Sequence, residues 1–266
     1  MDAAVEVPAG QFELNEDQRA IQAMAESFAD ERVAPHALAW DRECHFPADV
    51  IRETGPLGFG GIYVGEEGGG SGLGRLDAVL IFEALSRACP GFASFISIHN
   101  MTAWMVDRFG NDEPRQRLLP KMASMEWLGS YCLTEPGSGS DAAALKTRAV
   151  REGDHYVVNG AKQFISGAGD SDVYVTMVRT GGDGPKGIST LVVPKDAPGL
   201  SFGAPEHKMG WNMQATRQVI FTDCRVPAEN LLSAEGDGFR IAMAGLDGGR
   251  LNIAACSLGG AQAALD

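Results

Sequence analysis

The apolar residues of this chain change period twice, and those two changes constrain its fold more than any other feature. Up to about residue 126 they recur at helical spacing. Asn15 stands where an N-cap is expected, with Gln18 three residues on, and Glu16 and Asp17 suit the positive end of a helix dipole. Ile21, Met24, Ala25, Phe28 and Ala29 then share one face, and Pro35 ends that helix or lies just beyond it. Ala78, Ile81, Phe82 and Leu85 mark a second stripe, closed by Cys89-Pro90. Between about Phe92 and Phe109, the side chains of Phe95, Ile98, Met101, Trp104 and Met105 spread around the circumference, as expected of a helix buried between neighbours. A short helix around Pro114 to Met122 completes this group. The glycine-dense segment from Gly65 to Gly74 lacks the Lys-Ser/Thr ending of a phosphate-binding loop and reads as a flexible linker.

From Trp127 the pattern becomes strand-like, with candidates at Leu128 to Leu133, Thr147 to Arg151, His155 to Val158, Asp172 to Arg179, Gly187 to Val193 and Gln218 to Val226. Strands spaced so closely, without helices between them, predict an antiparallel sheet or small barrel. Helix returns from about Gly236, where Leu251, Ala254, Leu258, Ala261 and Leu265 form a stripe still running at Asp266, with no glycine, basic turn or proline to end it. The expected fold is therefore α+β. It has an N-terminal all-helical domain over 1–126, a central antiparallel, barrel-like β-domain over 127–233, and the start of a C-terminal helical bundle over 234–266. That bundle is incomplete, so the sequence reads as a fragment or a truncated product.

Charge and cysteines exclude several function classes. A formal net charge of −13 without any Lys/Arg run disfavours a nucleic-acid partner. The five cysteines form no Cys-x-x-Cys pair, which speaks against a metal site and for reduced thiols. Met1 to Gly10 resembles neither a secretory signal nor an Arg-rich presequence, and no apolar run is long enough to span a bilayer. The expectation is a soluble, cytoplasmic protein with no membrane partner.

The candidate site lies where the first strand ends. Tyr131-Cys132-Leu133-Thr134-Glu135-Pro136-Gly137-Ser138-Gly139-Ser140 is an apolar strand that opens into hydroxyls, a proline corner and two Gly-Ser pairs. Such a run leaves backbone amides free to wrap a flat, electron-rich ring and a nearby phosphate. Phe164-Ile165-Ser166 follows one hairpin later. Gly137, Gly139 and Ala142 also satisfy the loose G-x-G-x-x-A nicotinamide pattern, but no long helix can follow them, because the Gly153-Asp154 hairpin comes almost at once. On the residues alone, Thr134, Glu135 and Ser140 could simply turn a strand end, Phe164 could be core, Arg250 could be an ordinary exposed helix arginine, and Asp247 could merely pair with it. His99, on the buried helix, reads as a satisfied core histidine.

These segments, with Leu14 to Gln18, Phe59 to Ile62, Ile96 to Met101, Ile165 to Gly169 and Gly245 to Ala254, run in order along nearly the whole chain. Together they resemble the acyl-CoA dehydrogenase family, nearest its isobutyryl-CoA branch. The resemblance implies FAD as cofactor. Tyr131, Cys132, Leu133, Thr134, Glu135, Pro136, Gly137, Ser138, Gly139 and Ser140 would surround it, Phe164 would pack against the ring, and Ile165 and Ser166 would complete the contact. It further implies that Ser140, Asp247, Gly248, Gly249 and Arg250 meet the CoA substrate. The implied reaction is α,β-dehydrogenation of isobutyryl-CoA to methacrylyl-CoA in valine catabolism, with electrons passing to an electron-transferring flavoprotein and a homotetramer as the full-length assembly. Other short or 2-methyl-branched substrates, oxidase or monooxygenase chemistry on the same fold, and an inactive fragment acting only as a binding module stay open. In this family the base is a glutamate either on the last helix present here or on a later one. At the first location the chain has Gly249. No catalytic residue is therefore assigned, the base is expected beyond Asp266, and this chain alone is expected to hold FAD weakly and turn over negligibly.

Overall fold

The computed structural model describes residues 13–266, so the reading of Met1 to Gly10 falls outside it. Helix α1 spans Glu16–Phe28, and its start is the predicted reciprocal cap: Asn15 Oδ1 accepts from the Gln18 backbone N–H at 2.8 Å, and Gln18 Oε1 accepts from the Asn15 N–H at 3.1 Å. The helix runs without a break into a π-helical turn over Ala29–Val33. Two short helices follow, α2 at Ala37–Glu43 and α3 at Ala48–Arg52, then α4 at Arg75–Ala88, α5 at Pro90–Phe109 and α6 at Asp112–Ala123. At seven and five residues, α2 and α3 hold too few periodic positions to show in the sequence.

Helix α5 is buried on most sides, as its dispersed apolar residues predict. His99 on it is fully buried and satisfied by three backbone groups. Its Nε2 lies 3.1 Å from the Gly60 carbonyl and 2.9 Å from that of Met122, while Nδ1 accepts from the Gly129 N–H at 3.0 Å. The segment from Gly65 to Gly74 is not a flexible linker. Ser71, Gly72 and Leu73 donate their N–H groups to the carbonyls of Gly61, Val64 and Ile62 at 2.8, 2.9 and 2.8 Å. Gly70 lies so close to the Val64 side chain and backbone that no side chain fits there. Glycine density here reflects tight packing.

The β-domain contains β1 (Gly129–Cys132), β2 (Arg148–Glu152), β3 (His155–Ser166), β4 (Val173–Arg179), β5 (Ile188–Pro194), β6 (Leu200–Phe202), β7 (Thr216–Pro227) and β8 (Leu231–Leu232). They form one sheet in the order β6-β7-β3-β2-β4-β5-β8, with β1 on β4. The expected α+β order of helical domain, β-domain and first bundle helix is present, and the antiparallel, barrel-like β-domain differs from expectation in two details. Strands β1 and β4 run parallel from Gly129↔Val173 to Cys132↔Thr176, and β2 meets β4 in the same sense at Arg148↔Arg179. Parallel pairing needs a long crossover, and residues 133–172, including the β2–β3 hairpin, serve as one. The strand path also has two ends, β6 and β8, so hydrogen bonding does not close the sheet.

Helix α7 spans Gly238–Leu265 and packs along α4 and α5. Its buried face is mostly small residues, among them Gly245, Gly248, Ala255 and Gly259, together with Ile241 and Asn252. The predicted stripe faces outward, with Leu251 50%, Leu258 57% and Leu265 81% exposed. Among the described residues no helix is long and apolar enough to cross a membrane.

Candidate active site

Strand β1 delivers the first wall of a cleft of about 540 Å³. Alternation along the strand turns Tyr131 and Leu133 toward the cleft and Cys132 into the sheet core. Thr134 follows on the same wall, half-buried. The chain then makes a tight turn in which Glu135 and Ser138 exchange backbone hydrogen bonds of 2.9 and 3.1 Å, and the Ser138 hydroxyl donates to the Asp141 carbonyl at 2.6 Å. That turn brings Gly139, Ser140, Asp141, Ala142 and Ala143 back to the rim.

The opposite wall is a bulge in β3. Gln163, Phe164, Ile165 and Ser166 line the cleft there, and Phe164 adopts a left-handed backbone conformation (φ 59°) that leaves its ring 62% exposed. Ser130 ties the walls together at the base, its hydroxyl 2.6 Å from the Ser166 carbonyl and 2.7 Å from the Ser171 hydroxyl. Ile98 of α5 and Phe239, Met243 and Leu246 of α7 supply an apolar end.

Directly behind the Thr134 wall lies a buried ion pair. Lys162 Nζ, with no exposed surface, donates to Glu135 Oε1 at 2.8 Å and to the Leu133 carbonyl at 3.0 Å. The same carboxylate accepts from the Lys146 and Thr147 N–H groups at 2.6 and 2.9 Å. Burial opposes its charge, but Lys162 and these donors outweigh burial and hold Glu135 below the usual carboxylate range. Burial in turn pulls the Lys162 ammonium down against the pull of Glu135. Burial also pushes the Cys132 thiol up to about 12, so it stays an inert core thiol.

A family model described as "Acyl-CoA dehydrogenase, N-terminal domain" matches residues 15–126, and one described as "Acyl-CoA dehydrogenase, middle domain" matches residues 130–224. The chain belongs to the acyl-CoA dehydrogenase family. It is 60% identical over 260 residues to the mitochondrial isobutyryl-CoA dehydrogenase of Dictyostelium discoideum, covering 97% of this chain and 62% of that protein. Butyryl-CoA dehydrogenase from Megasphaera elsdenii superposes with a TM-score of 0.92 at 35% identity, covering 96% of this chain and 68% of that one. A glutaryl-CoA dehydrogenase from Mycobacterium smegmatis in complex with FADH2 superposes with a TM-score of 0.88 at 29% identity, covering 95% and 64%. The chain thus spans about three-fifths of the length of the curated relative, 62%.

Within the acyl-CoA dehydrogenase fold, the structure gathers only part of the predicted set. Tyr131, Leu133, Thr134, Gly139, Ser140, Phe164, Ile165 and Ser166 line the one cleft. Cys132 faces the core, and Glu135 spends its carboxylate on Lys162 and two backbone amides. Pro136, Gly137 and Ser138 border a separate shallow hollow with Gly160 and Ala161. On α7, Asp247 and Arg250 are exposed and paired with each other at 3.6 Å, while Gly248 and Gly249 pack toward Arg75 and Met101. None of these four lines the cleft. Sequence reasoning missed Phe239, Met243 and Leu246, whose i, i+4, i+7 spacing marks a helix face and was legible in principle. Ile98 and Gln163 carried no such signal, because each belongs to the cleft only through the tertiary fold.

Proposed function

We propose that the cleft holds the isoalloxazine end of FAD and that the protein takes part in α,β-dehydrogenation of a short branched acyl-CoA, isobutyryl-CoA to methacrylyl-CoA, as in valine catabolism. The observation that carries the flavin reading is Phe164, an aromatic ring turned out of the sheet by a left-handed bulge and exposed in a cleft opposite Thr134. A ring held this way loses core packing and gains a flat face for a planar partner. The residues present fit the group. A hydroxyl, small Gly-Ser segments and strand-edge backbone stand on one side, and an apolar end stands on the other. A Cβ at Gly139 would meet nothing within 4 Å, so the rim is open.

FAD, when bound, supplies the hydride acceptor. The chain's own residues supply orientation: Thr134, Ser140 and Ser166 offer hydroxyls along the walls, Phe164 offers a stacking face, and Ile98, Met243 and Leu246 exclude water from the apolar end. Asp141 is the one carboxylate among the lining residues, and it stands exposed at the rim of the cleft rather than within it. We therefore assign the α-proton acceptor to the part of the relatives' length that this chain does not span. Ser140 would touch the CoA arm inside the cleft, and Asp247 and Arg250 its nucleotide end outside it.

The branched short-chain assignment rests on the relative named above, and the electron-transferring flavoprotein partner and a tetrameric assembly are proposed by analogy with the family. Division at 126/127 and 233/234 belongs to the same reading. So does a reducing, cytoplasm-like compartment, supported by five free thiols. Methacrylyl-CoA added to the FAD-loaded chain is expected to shift the flavin absorbance, because product binding requires no base. Absence of any shift with methacrylyl-CoA and with straight short-chain enoyl-CoAs would overturn the substrate assignment.

A further inference from the structure

Packing does not explain why a lysine occupies the sheet core behind the cleft. Replacing a buried ion pair by apolar side chains of similar volume is often neutral or stabilising, so a core built for stability alone would use a hydrophobe here. The position of Lys162 relative to the bulge suggests another role. Along β3 the inward positions are Tyr156, Val158 and Lys162, and a regular pleat would send Phe164 inward next. Instead β7 advances two residues, from Val219 to Arg217, while β3 advances three, from Lys162 to Ile165. The extra residue turns Phe164 out into the cleft at φ 59°. A bulky residue holds such a conformation only where its surroundings over-determine it.

Three hydrogen bonds do so, and all reach across to the Thr134 wall. Lys162 Nζ donates to the Leu133 carbonyl at 3.0 Å and to Glu135 Oε1 at 2.8 Å, and the Gln163 N–H donates to the Thr134 carbonyl at 2.8 Å. Glu135 is fixed in turn by the Lys146 and Thr147 amides. The brace therefore brackets Thr134 on one wall and ends at Gln163, the residue before Phe164, on the other.

We infer that Lys162 and Glu135 are positioning residues that set the separation and pitch of the Thr134 and Phe164 walls, and so the width of the slot that grips a planar ring. This rests on the flavin reading of the cleft for its purpose, though the brace itself can be tested without flavin. The test uses the whole chain carrying Lys162→Met or Glu135→Gln. Hydrogen exchange on the flavin-free protein is expected to show residues 163–166 exchanging at least tenfold faster than in wild type, with β4 and β5 unchanged. FAD is expected to bind at least tenfold more weakly, and the absorption band of the saturated complex is expected to lose its bound shape. A merely structural brace would lower the melting temperature while leaving local exchange at 163–166 and the saturated spectrum unchanged, and that result would overturn the inference. Glu135→Gln keeps an oxygen for the Thr147 amide and carries the test if Lys162→Met does not fold. If wild type fails to bind FAD, the flavin reading falls, and the exchange comparison still decides whether the brace positions the two walls.

Discussion

Gln163 donates its backbone N–H to the Thr134 carbonyl at 2.8 Å, so the two walls of the cleft are one hydrogen bond apart in the backbone. The residue after Gln163 is the outward-turned Phe164, and the residue before Thr134 belongs to the strand extension that Lys162 grips. Opening the cleft at this point breaks the sheet edge that defines it.

The three backbone partners of His99 require a neutral ring that donates from Nε2 and accepts at Nδ1. Burial lowers its pKa from 6.5 to about 4, although the Met122 and Gly60 carbonyls favour the charged form. The unfolded chain therefore takes up this proton first as pH falls. The contribution of His99 is fully present above about pH 6.5 and is lost on descending toward about 4, amounting to roughly 3 kcal/mol over that window. Urea unfolding of wild type and His99→Gln at pH 7 and pH 4.5 is expected to show a smaller pH dependence in the variant, from a lower starting stability.

Helix α7 reaches α4 because Gly259 has no side chain. A Cβ there would overlap the Glu83 carbonyl and come 2.9 Å from Ser86 Cβ. Gly259→Ala is expected to cost about 1–3 kcal/mol and to lower the melting temperature. Gly182→Ala, where a Cβ meets nothing within 4 Å, is expected to change it little.

The outer face of α7 leaves Leu251 and Leu258 half in water. Contiguous apolar surface of this kind binds hydrophobic probes and promotes association. Leu251→Lys with Leu258→Lys is expected to reduce fluorescence from an anilinonaphthalene dye and light scattering at high protein concentration, with the circular dichroism spectrum unchanged.

Period and caps made the helical domain legible: the Asn15–Gln18 box, the break between α4 and α5 at Cys89-Pro90 and the α5 end at Phe109 stand where the sequence places them. The parallel β1–β4 pair was hidden, because strand direction depends on how residues 133–172 cross the sheet and not on any strand's own pattern. Thr134 and Phe164 were legible as partners only through the family resemblance, and the structure puts both on one cleft. The separation of Glu135 from the cleft was not legible, since a carboxylate in a glycine-rich turn gives no sign of the lysine 27 residues on that consumes it.

Titration of FAD with the purified chain, followed by flavin fluorescence, decides whether the Thr134–Phe164 cleft grips a flavin ring. Saturable quenching by wild type, at least tenfold weaker for Phe164→Ala and weakened for Thr134→Ala, is the expected result, a factor of ten corresponding to about 1.4 kcal/mol. Quenching of equal affinity in wild type and Phe164→Ala, or none in wild type, would contradict it.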